Sequence, residues 1–561
     1  MTREIGHGRM TVRSVDYVIV GAGSAGCTLA ARLTEDPNVR VLLLEAGGWD
    51  RDPLIHLPLG WGRILQQRRH DWGYETEPDP STGNRRMECM RGKVLGGSSS
   101  VNAMAYVRGH RSDYDRWARN GAPGWSYGDV LPYFRRQESW EEGASAYRGG
   151  DGPLATRRSR YADPLIGAYV EAAAQAGIPY NEDYNGAEQY GVARMQMTIR
   201  NGRRASASSA YLRPVRSRSN LTLEVGALVR RVVIEGDRAV GVEYVRNGTV
   251  DTVRAEREVI LCGGAIASPQ LLMLSGIGAP DELFAHGIEV RAARPAVGRN
   301  LQDHVAALLN YGRRTPGPVH RAMRIDRLAL ALGQGILLGT GFATDLPGGL
   351  TAFLKTDPAL AVPDTQMLFI AGPLGAAPYW PWQAGFADSF SCRIVLLRPE
   401  SRGTITLRSA DPAAHPVIRQ PLLATERDWA TMRRAVALFR DIARRPALAP
   451  FTTGEIGPLA TAGDADLERV VRATAVTAHH PSGTCRMGAA EDDTAVVDPA
   501  LRVIGLQGLR VVDASVFPDL VGGNINAAVI MMAERAADLI RGRVVSVQRE
   551  RAGAESAVAV A

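Results

Sequence analysis

A chain of 561 residues with 45% hydrophobic content exceeds one small domain and can bury a large core, so two or more domains are expected. The net charge of +7 comes from arginines spread along the chain, with Lys93 and Lys355 the only lysines. That distribution reads as a solvated surface and excludes a nucleic-acid binder. Cys27, Cys89, Cys262, Cys392 and Cys485 are scattered and odd in number, which fits a reducing compartment and no disulfide frame. No apolar run reaches the roughly 18 residues of a membrane span. Residues 1–14 are polar, without the apolar centre of a secretory signal. A cytoplasmic protein, or one peripheral to a membrane, is expected. Few lysines beside many Ala, Gly and Arg suggest a GC-rich, bacterial genome.

Residues 17–20 form a short apolar run suited to a buried parallel strand. Gly21, Gly23 and Gly26 follow at once. In a dinucleotide site the first glycine makes a tight turn, the second admits a pyrophosphate and the third lets the next helix pack closely. That helix is expected to start near Ser24, with free N–H groups toward the phosphates. A second apolar strand over residues 39–44 ends in Glu45. Glu45 follows Gly26 by 19 positions, close to the roughly 20 expected of the acid that meets a ribose hydroxyl. This pattern alone suits NAD as well as FAD.

Residues 221–245 alternate apolar and polar, with a turn at Gly236-Asp237, and read as a β-meander. Residues 259–262 form a buried strand that runs through Gly263 and Gly264 into an apolar helix ending near Leu274. Residues 510–512 make a third such strand, ending at Asp513, Ala514 and Ser515. Strand-to-glycine transitions this far apart predict one sheet assembled from distant segments. Residues 311–465 are rich in Pro, Gly and Trp, carry no phosphate-loop pattern, and read as a second domain. There is no internal repeat, and the pattern is lost after Arg541, where a frayed tail is expected.

Further blocks extend the opening loop. Residues 91–104 run from Arg91 through Val94, Gly96, Gly97 and Ser98 to Asn102, Ala103 and Met104. Residues 264–278 are followed by residues 297–304, which end in Asp303 and His304. His480 opens a Pro-Ser-Gly-Thr-Cys segment, and Asp513-Ala514 precedes Gly523-Asn524-Ile525-Asn526-Ala527-Ala528. In this order the blocks resemble the glucose–methanol–choline family of flavin-dependent alcohol oxidoreductases, over nearly the whole chain.

The resemblance implies an α/β chain with a discontinuous Rossmann-like FAD-binding domain, residues 12–155, 205–310 and 470–542. It implies an α+β substrate-binding domain with an antiparallel sheet, residues 156–204 and 311–469, and tails at 1–11 and 543–561. Gly21, Gly23, Ser24, Gly26, Glu45 and Ala46 are expected to hold the ADP half of FAD. Arg91, Val94, Gly96, Gly97, Ser98, Asn102, Ala103 and Met104 form the second group of contacts, and Asp513, Ala514, Asn526 and Ala527 the last. Val229 lies in the strand that meets the adenine through its backbone in relatives. Where some relatives attach FAD through a histidine this chain has Val101, so FAD is expected to be bound non-covalently.

The same resemblance makes the chain an FAD-dependent enzyme that oxidises a CH–OH group by hydride transfer to flavin. Histidine suits the base because its ordinary pKa lies near neutrality. His480, directly before the Pro-Ser-Gly-Thr segment, is selected over His479, which reads as packing or as a support behind the site. The partner position, histidine or asparagine in the family, is matched to Asn526, whose amide would steady the alcohol oxygen. Asn524, two positions away, reads as a turn or cap. Many relatives have Pro where this chain has Ala528, which leaves the local helix start open. Asp303 and His304 read as structural. The remaining histidines have no metal-ligand spacing, and no metal is expected. Trp380 and Trp382 read as packing before pocket wall.

A neutral primary alcohol is the expected substrate, with oxygen or a quinone-like group as electron acceptor. Choline is disfavoured, because its cation would call for a carboxylate and residues 343–355 offer only Asp345. The alternatives are choline dehydrogenase specifically and a flavin-containing lyase on the same fold. An NAD-dependent dehydrogenase would share only the opening loop, and a non-catalytic flavoprotein would have no use for His480.

Overall fold

The computed structural model describes residues 13–543. The expected tails, residues 1–11 and 543–561, lie outside the described residues apart from Arg543. Seven strands form the first sheet. Arg13–Val20 lies between Val41–Glu45 and Thr249–Leu261, parallel to both. Val18 stands in register with Leu42 on one side and Val259 on the other. All three are fully buried, as the continuous apolar runs require. Leu221–Val225 extends the sheet beyond Val41–Glu45, again in parallel.

Thr249–Leu261 serves two partners on its other edge. Its first half pairs antiparallel with Arg238–Arg246, which pairs in turn with Ala227–Glu235. Its last three residues pair in parallel with Leu509–Val511. The meander therefore starts at Ala227, not at Leu221. Gly226 has a positive φ of 69° and breaks the alternating run, sending Leu221–Val225 to the opposite edge.

The second sheet is antiparallel throughout and also has seven strands. Its main path runs Thr452–Ile456, Val305–Arg313, Ser389–Leu396, Thr365–Ile370, Leu350–Leu354, Gly191–Arg194, and Val476–Thr477 also pairs with Val305–Arg313. The helices Pro164–Gln175 and Glu426–Ala443 share its apolar core through Tyr169, Trp429 and Phe439. Two expected boundaries, at 310 and 470, cut across this sheet. Val305–Arg313 is one unbroken strand, and Val476–Thr477 joins it. After the earlier Gly191–Arg194 strand, the chain thus re-enters the second sheet just after His304 and leaves it just before His479.

Two helices lock the first sheet to the C-terminal segment. Ser24–Leu33 packs along Asn526–Ile540. Arg32 donates Nε and Nη2 to the two oxygens of the fully buried Glu534 at 2.9 and 2.8 Å, while Arg136 and the Tyr211 hydroxyl donate to the same carboxylate. The Asn526 helix needs no proline at its start. Gly26 brings Ser24–Leu33 down onto the strand: a Cβ there would lie 1.9 Å from the Gly21 carbonyl oxygen. Gly26→Ala should therefore destabilise the fold by about 1–3 kcal/mol, the range for overpacked sites. Urea unfolding of both proteins measures this, and an unchanged midpoint would contradict the packing role.

Candidate active site

The carboxyl ends of the parallel strands open on a continuous cavity of about 320 Å³, the position where α/β sheets take ligands. Gly21, Gly23, Ser24, Glu45, Ala46 and Val229 line its nucleotide side. Glu45 is buried, and burial pushes its carboxyl up to about 7. It accepts the Ala22 and Gly47 backbone N–H groups at 2.9 and 2.8 Å. A carboxylate has about four acceptor positions, so room remains for a ribose hydroxyl. Gly23 starts the Ser24 helix without a side-chain cap, and Ile525 starts the Asn526 helix the same way. Both helix N-termini thus present uncapped N–H donors along a cavity that they border, which suits an anionic dinucleotide.

Arg91, Gly97, Ser98, Asn102, Ala103 and Met104 line the middle of the cavity. Gly97, at φ 53°, approaches the loop so closely that a Cβ would lie 2.7 Å from the Gly23 Cα. Asn102 accepts Met104 N–H at 3.0 Å and Arg204 Nη1 at 2.8 Å through its oxygen, which leaves its NH2 group to donate. Asp513 and Ala514 also line the cavity. The Asp513 carboxylate accepts Gly264 N–H at 2.9 Å and the Ser268 hydroxyl at 2.6 Å, so it caps the third helix that borders the site. Gly26, Val94, Gly96 and Ala527 stand behind the wall. Gly26 and Gly96 shape the backbone, Val94 is core, and the Ala527 carbonyl accepts Gln137 Nε2 at 3.3 Å. These donors and glycine approaches fit the ADP and ring portions of FAD.

His480 lies at the far end, buried. Its backbone is fixed from three directions. Asp303 accepts the His480 N–H at 2.8 Å, Thr477 Oγ1 accepts the His479 N–H at 2.8 Å, and Arg91 Nη2 donates to the His479 carbonyl at 2.7 Å. Asp303 also accepts Gln420 Nε2 and the Thr477 hydroxyl. These bonds hold His479 at φ 65°, a left-handed conformation that costs a non-glycine residue about 1–3 kcal/mol. Burial, then the neighbouring His304 and Arg91, hold the His480 pKa well below its ordinary value.

The ring protons follow from carbonyl groups, which can only accept. His304 Nε2 donates to the Leu397 carbonyl at 3.1 Å. Burial lowers the His304 pKa to about 4, so the ring carries one proton and its Nδ1 is an acceptor. His480 Nδ1 lies 2.9 Å from that nitrogen and must donate to it. His480 Nε2 is therefore bare. Asn524 Nδ2 faces it at 3.1 Å.

The orientation of Asn524 is fixed by the same logic. The Thr351 hydroxyl donates to the Met367 carbonyl at 2.8 Å, so its oxygen accepts from Gln366 Nε2 at 3.3 Å. The same Gln366 NH2 group donates to Asn524 Oδ1 at 3.2 Å. This corrects the expected pairing. Asn524, not Asn526, meets His480. Asn526 opens the C-terminal helix and accepts the Ser24 hydroxyl at 2.7 Å, which places it beside the glycine loop. The segment before that helix bends instead of running extended, and this decides which of the two asparagines faces His480. Gln366 lies in a domain without motifs, and nothing in its local sequence marks it.

Leu368, two residues from Gln366 on the same strand, lines the cavity with Trp61, Leu65 and Met104. Leu368, Trp61 and Met104 pack in one apolar cluster. Among the described residues, Glu45 and Asp513 are the only carboxylates in the cavity wall. Asp345 is elsewhere: it pairs with Arg157 at 3.0 Å and accepts Ser159 Oγ at 3.1 Å. Trp380 and Trp382 stack on each other at the surface, outside the cavity.

The profile of the GMC oxidoreductase family matches residues 15–306 in its N-terminal part and residues 399–533 in its C-terminal part. Among named relatives, a mitochondrial choline dehydrogenase of Mus musculus is 46% identical over 94% of this chain and 89% of its own. An oxygen-dependent choline dehydrogenase of Brucella anthropi is 44% identical over 94% of this chain and 96% of its own. Pyridoxine 4-oxidase from Mesorbium loti superposes with a TM-score of 0.84 at 35% identity, covering 95% of this chain and 100% of that one. A formate oxidase superposes with a TM-score of 0.85 at 28% identity, covering 95% and 98%. The chain belongs to the GMC oxidoreductase family, as an FAD-dependent oxidoreductase that acts on CH–OH donors.

Proposed function

We propose that the protein oxidises a neutral primary alcohol to its carbonyl product, with His480 as the base and Asn524 holding the alcohol oxygen. One observation carries the assignment: the bare Nε2 of His480 faces the donor group of Asn524 at 3.1 Å. An alcohol oxygen that replaces this direct contact donates its proton to His480 and accepts from the amide. The base is neutral before reaction because its pKa is held down. Once protonated, His480 keeps its Nδ1–H on His304, and a charged donor strengthens that bond. Asn524 stabilises the oxygen as its negative charge grows. Bound FAD supplies the acceptor for the hydride that leaves the carbinol carbon. Val101 offers no atom for covalent attachment, which supports non-covalent FAD. Oxygen or a quinone-like compound then takes up the two electrons.

The apolar wall supports a neutral substrate. Choline would bring a permanent cation beside Leu368 and Met104, whereas the carboxylates of Glu45 and Asp513 face the backbone N–H groups of the glycine loop and the Gly264 helix. Burying an uncompensated charge is costly. The relatives named for choline set the counter-case. 3,3-Dimethylbutan-1-ol has the shape of choline without its charge. We expect it to have the higher kcat/KM by about ten-fold or more, equivalent to roughly 1.4 kcal/mol. A preference for choline would overturn this substrate class.

The residue roles have separate tests. His480→Ala should slow anaerobic flavin reduction by roughly 10² or more. Asn524→Ala should slow the same step by about 10², while Asn526→Ala should mainly weaken FAD retention. Near-normal reduction in Asn524→Ala, with a slow Asn526→Ala that keeps its FAD, would reverse the assignment. The pH dependence follows from the sign of the shift. With the His480 pKa held below the ordinary 6.5, kcat/KM stays level above that pH and falls only on its acid side. A fall centred on the alkaline side of 6.5 would contradict a depressed base.

A further inference from the structure

The helix Ile325–Leu338 is 14 residues long. It has two faces. Leu328, Ala331, Leu332 and Gly335 recur at helical spacing, and Ala331 and Leu332 pack with Leu57, Leu59 and Ala343. The opposite face carries Leu330, Leu337 and Leu338, which are 73%, 83% and 71% exposed, beside Ile336. The loop over residues 371–387 adjoins the start of this helix. Its Tyr379 carbonyl accepts the Ile325 N–H at 2.9 Å, and its own N–H donates to the Met323 carbonyl at 3.2 Å. Trp380 and the 76%-exposed Trp382 follow directly and stack on each other in solvent. Four large aliphatic side chains thus line about 20 Å of open helix, from the helical rise, and the two indoles adjoin its N-terminal end. Exposed patches of this kind mark an interaction site.

Charge selects the partner. Residues 328–344 and 371–387 contain no charged side chain. Arg321, Arg324 and Arg327 surround the N-terminal end of the helix. At the other end the exposed Arg203 donates to the Ile336 carbonyl at 3.3 Å, with Arg200 in the same hairpin. The acid on this helix, Asp326, is paired with Arg324. A second copy of the chain would bring arginine against arginine with no acid to pair. An anionic bilayer offers an apolar phase for the leucines, a headgroup layer for the indoles and phosphates for the arginines. The helix is too short to span a bilayer, which takes roughly 20 residues.

We propose that this surface, the outer face of Ile325–Leu338 with Trp380 and Trp382, docks the enzyme on the interface of an anionic lipid membrane. The segment between the patch and the cavity is short: Leu57 and Leu59 touch the helix, while Trp61 and Leu65 line the cavity. Docking thus brings the cavity wall close to the lipid phase, where apolar alcohols and quinone-like acceptors concentrate.

The test uses the full-length FAD-loaded enzyme and flotation with two kinds of vesicle. One is pure phosphatidylcholine and the other is phosphatidylcholine and phosphatidylglycerol in equal parts. Wild type should float with the anionic vesicles and less with the neutral ones, and added salt should weaken the binding. Leu330→Glu/Leu337→Glu, and separately Trp382→Ser, should lose about ten-fold or more of the bound fraction. Their anaerobic bleaching by a water-soluble alcohol should be unchanged, which shows that they are folded. Absence of wild-type binding, or equal binding by the variants, would overturn the proposal. So would a lipid-free dimer of wild type that Leu337→Glu converts to monomer.

Discussion

Two backbone carbonyls decide the chemistry of this site. Leu397 can only accept, so it fixes the proton of His304, and through it the proton of His480. Met367 can only accept, so it fixes the Thr351 hydroxyl, then Gln366, then Asn524. The two chains of donors meet at His480 Nε2. One leaves that nitrogen with its lone pair, and the other aims an N–H beside it. The proposed base is therefore set before any substrate arrives, which is the economy of a preorganised site. Both carbonyls belong to the second sheet or its immediate continuation. The sheet that carries Leu368 to the cavity wall thus governs a histidine outside it.

This arrangement explains why the chain crosses between its two sheets where it does. His304 is the last residue before the strand Val305–Arg313, and His479 follows Val476–Thr477, which pairs with that strand. Asp303 sits between the crossings and accepts from the Thr477 hydroxyl and the His480 backbone. The two crossings are thereby tied together, and the left-handed His479 is held in place by bonds on its N–H and carbonyl. At the other end of the cavity, Ser24 and Asn526 meet across the starts of two packed helices. The Arg32–Glu534 pairing keeps those helices in register further along. The cradle and the base are thus held by separate devices on one continuous cavity.

The parts of the fold legible in the sequence are those with local causes. The apolar strand, the glycine turn and Glu45 act on one another within a few dozen residues, and each has a periodicity or a spacing that reports its role. His480 was legible because its segment has an order shared with relatives. Asn524 and Asn526 trade places because both flank Ile525 in the matched block, and one bend before the helix decides which side chain faces His480. The Leu221 strand was misplaced for a related reason: Gly226 redirects a run whose alternation alone looks continuous. Gln366, Thr351 and Leu397 left no trace in the sequence. Each acts through long-range contacts, and a glutamine on a buried strand carries no pattern that names its partner.

The central claim is the proton on the His480 ring, and it is open to direct observation. Imidazole nitrogen-15 NMR of the FAD-loaded enzyme at neutral pH, with His480→Gln as the assignment control, distinguishes protonated from bare ring nitrogens. The account predicts His480 with a proton on Nδ1 and a bare Nε2, and His304 with its proton on Nε2. A His480 ring carrying its proton on Nε2, or on both nitrogens, would contradict it.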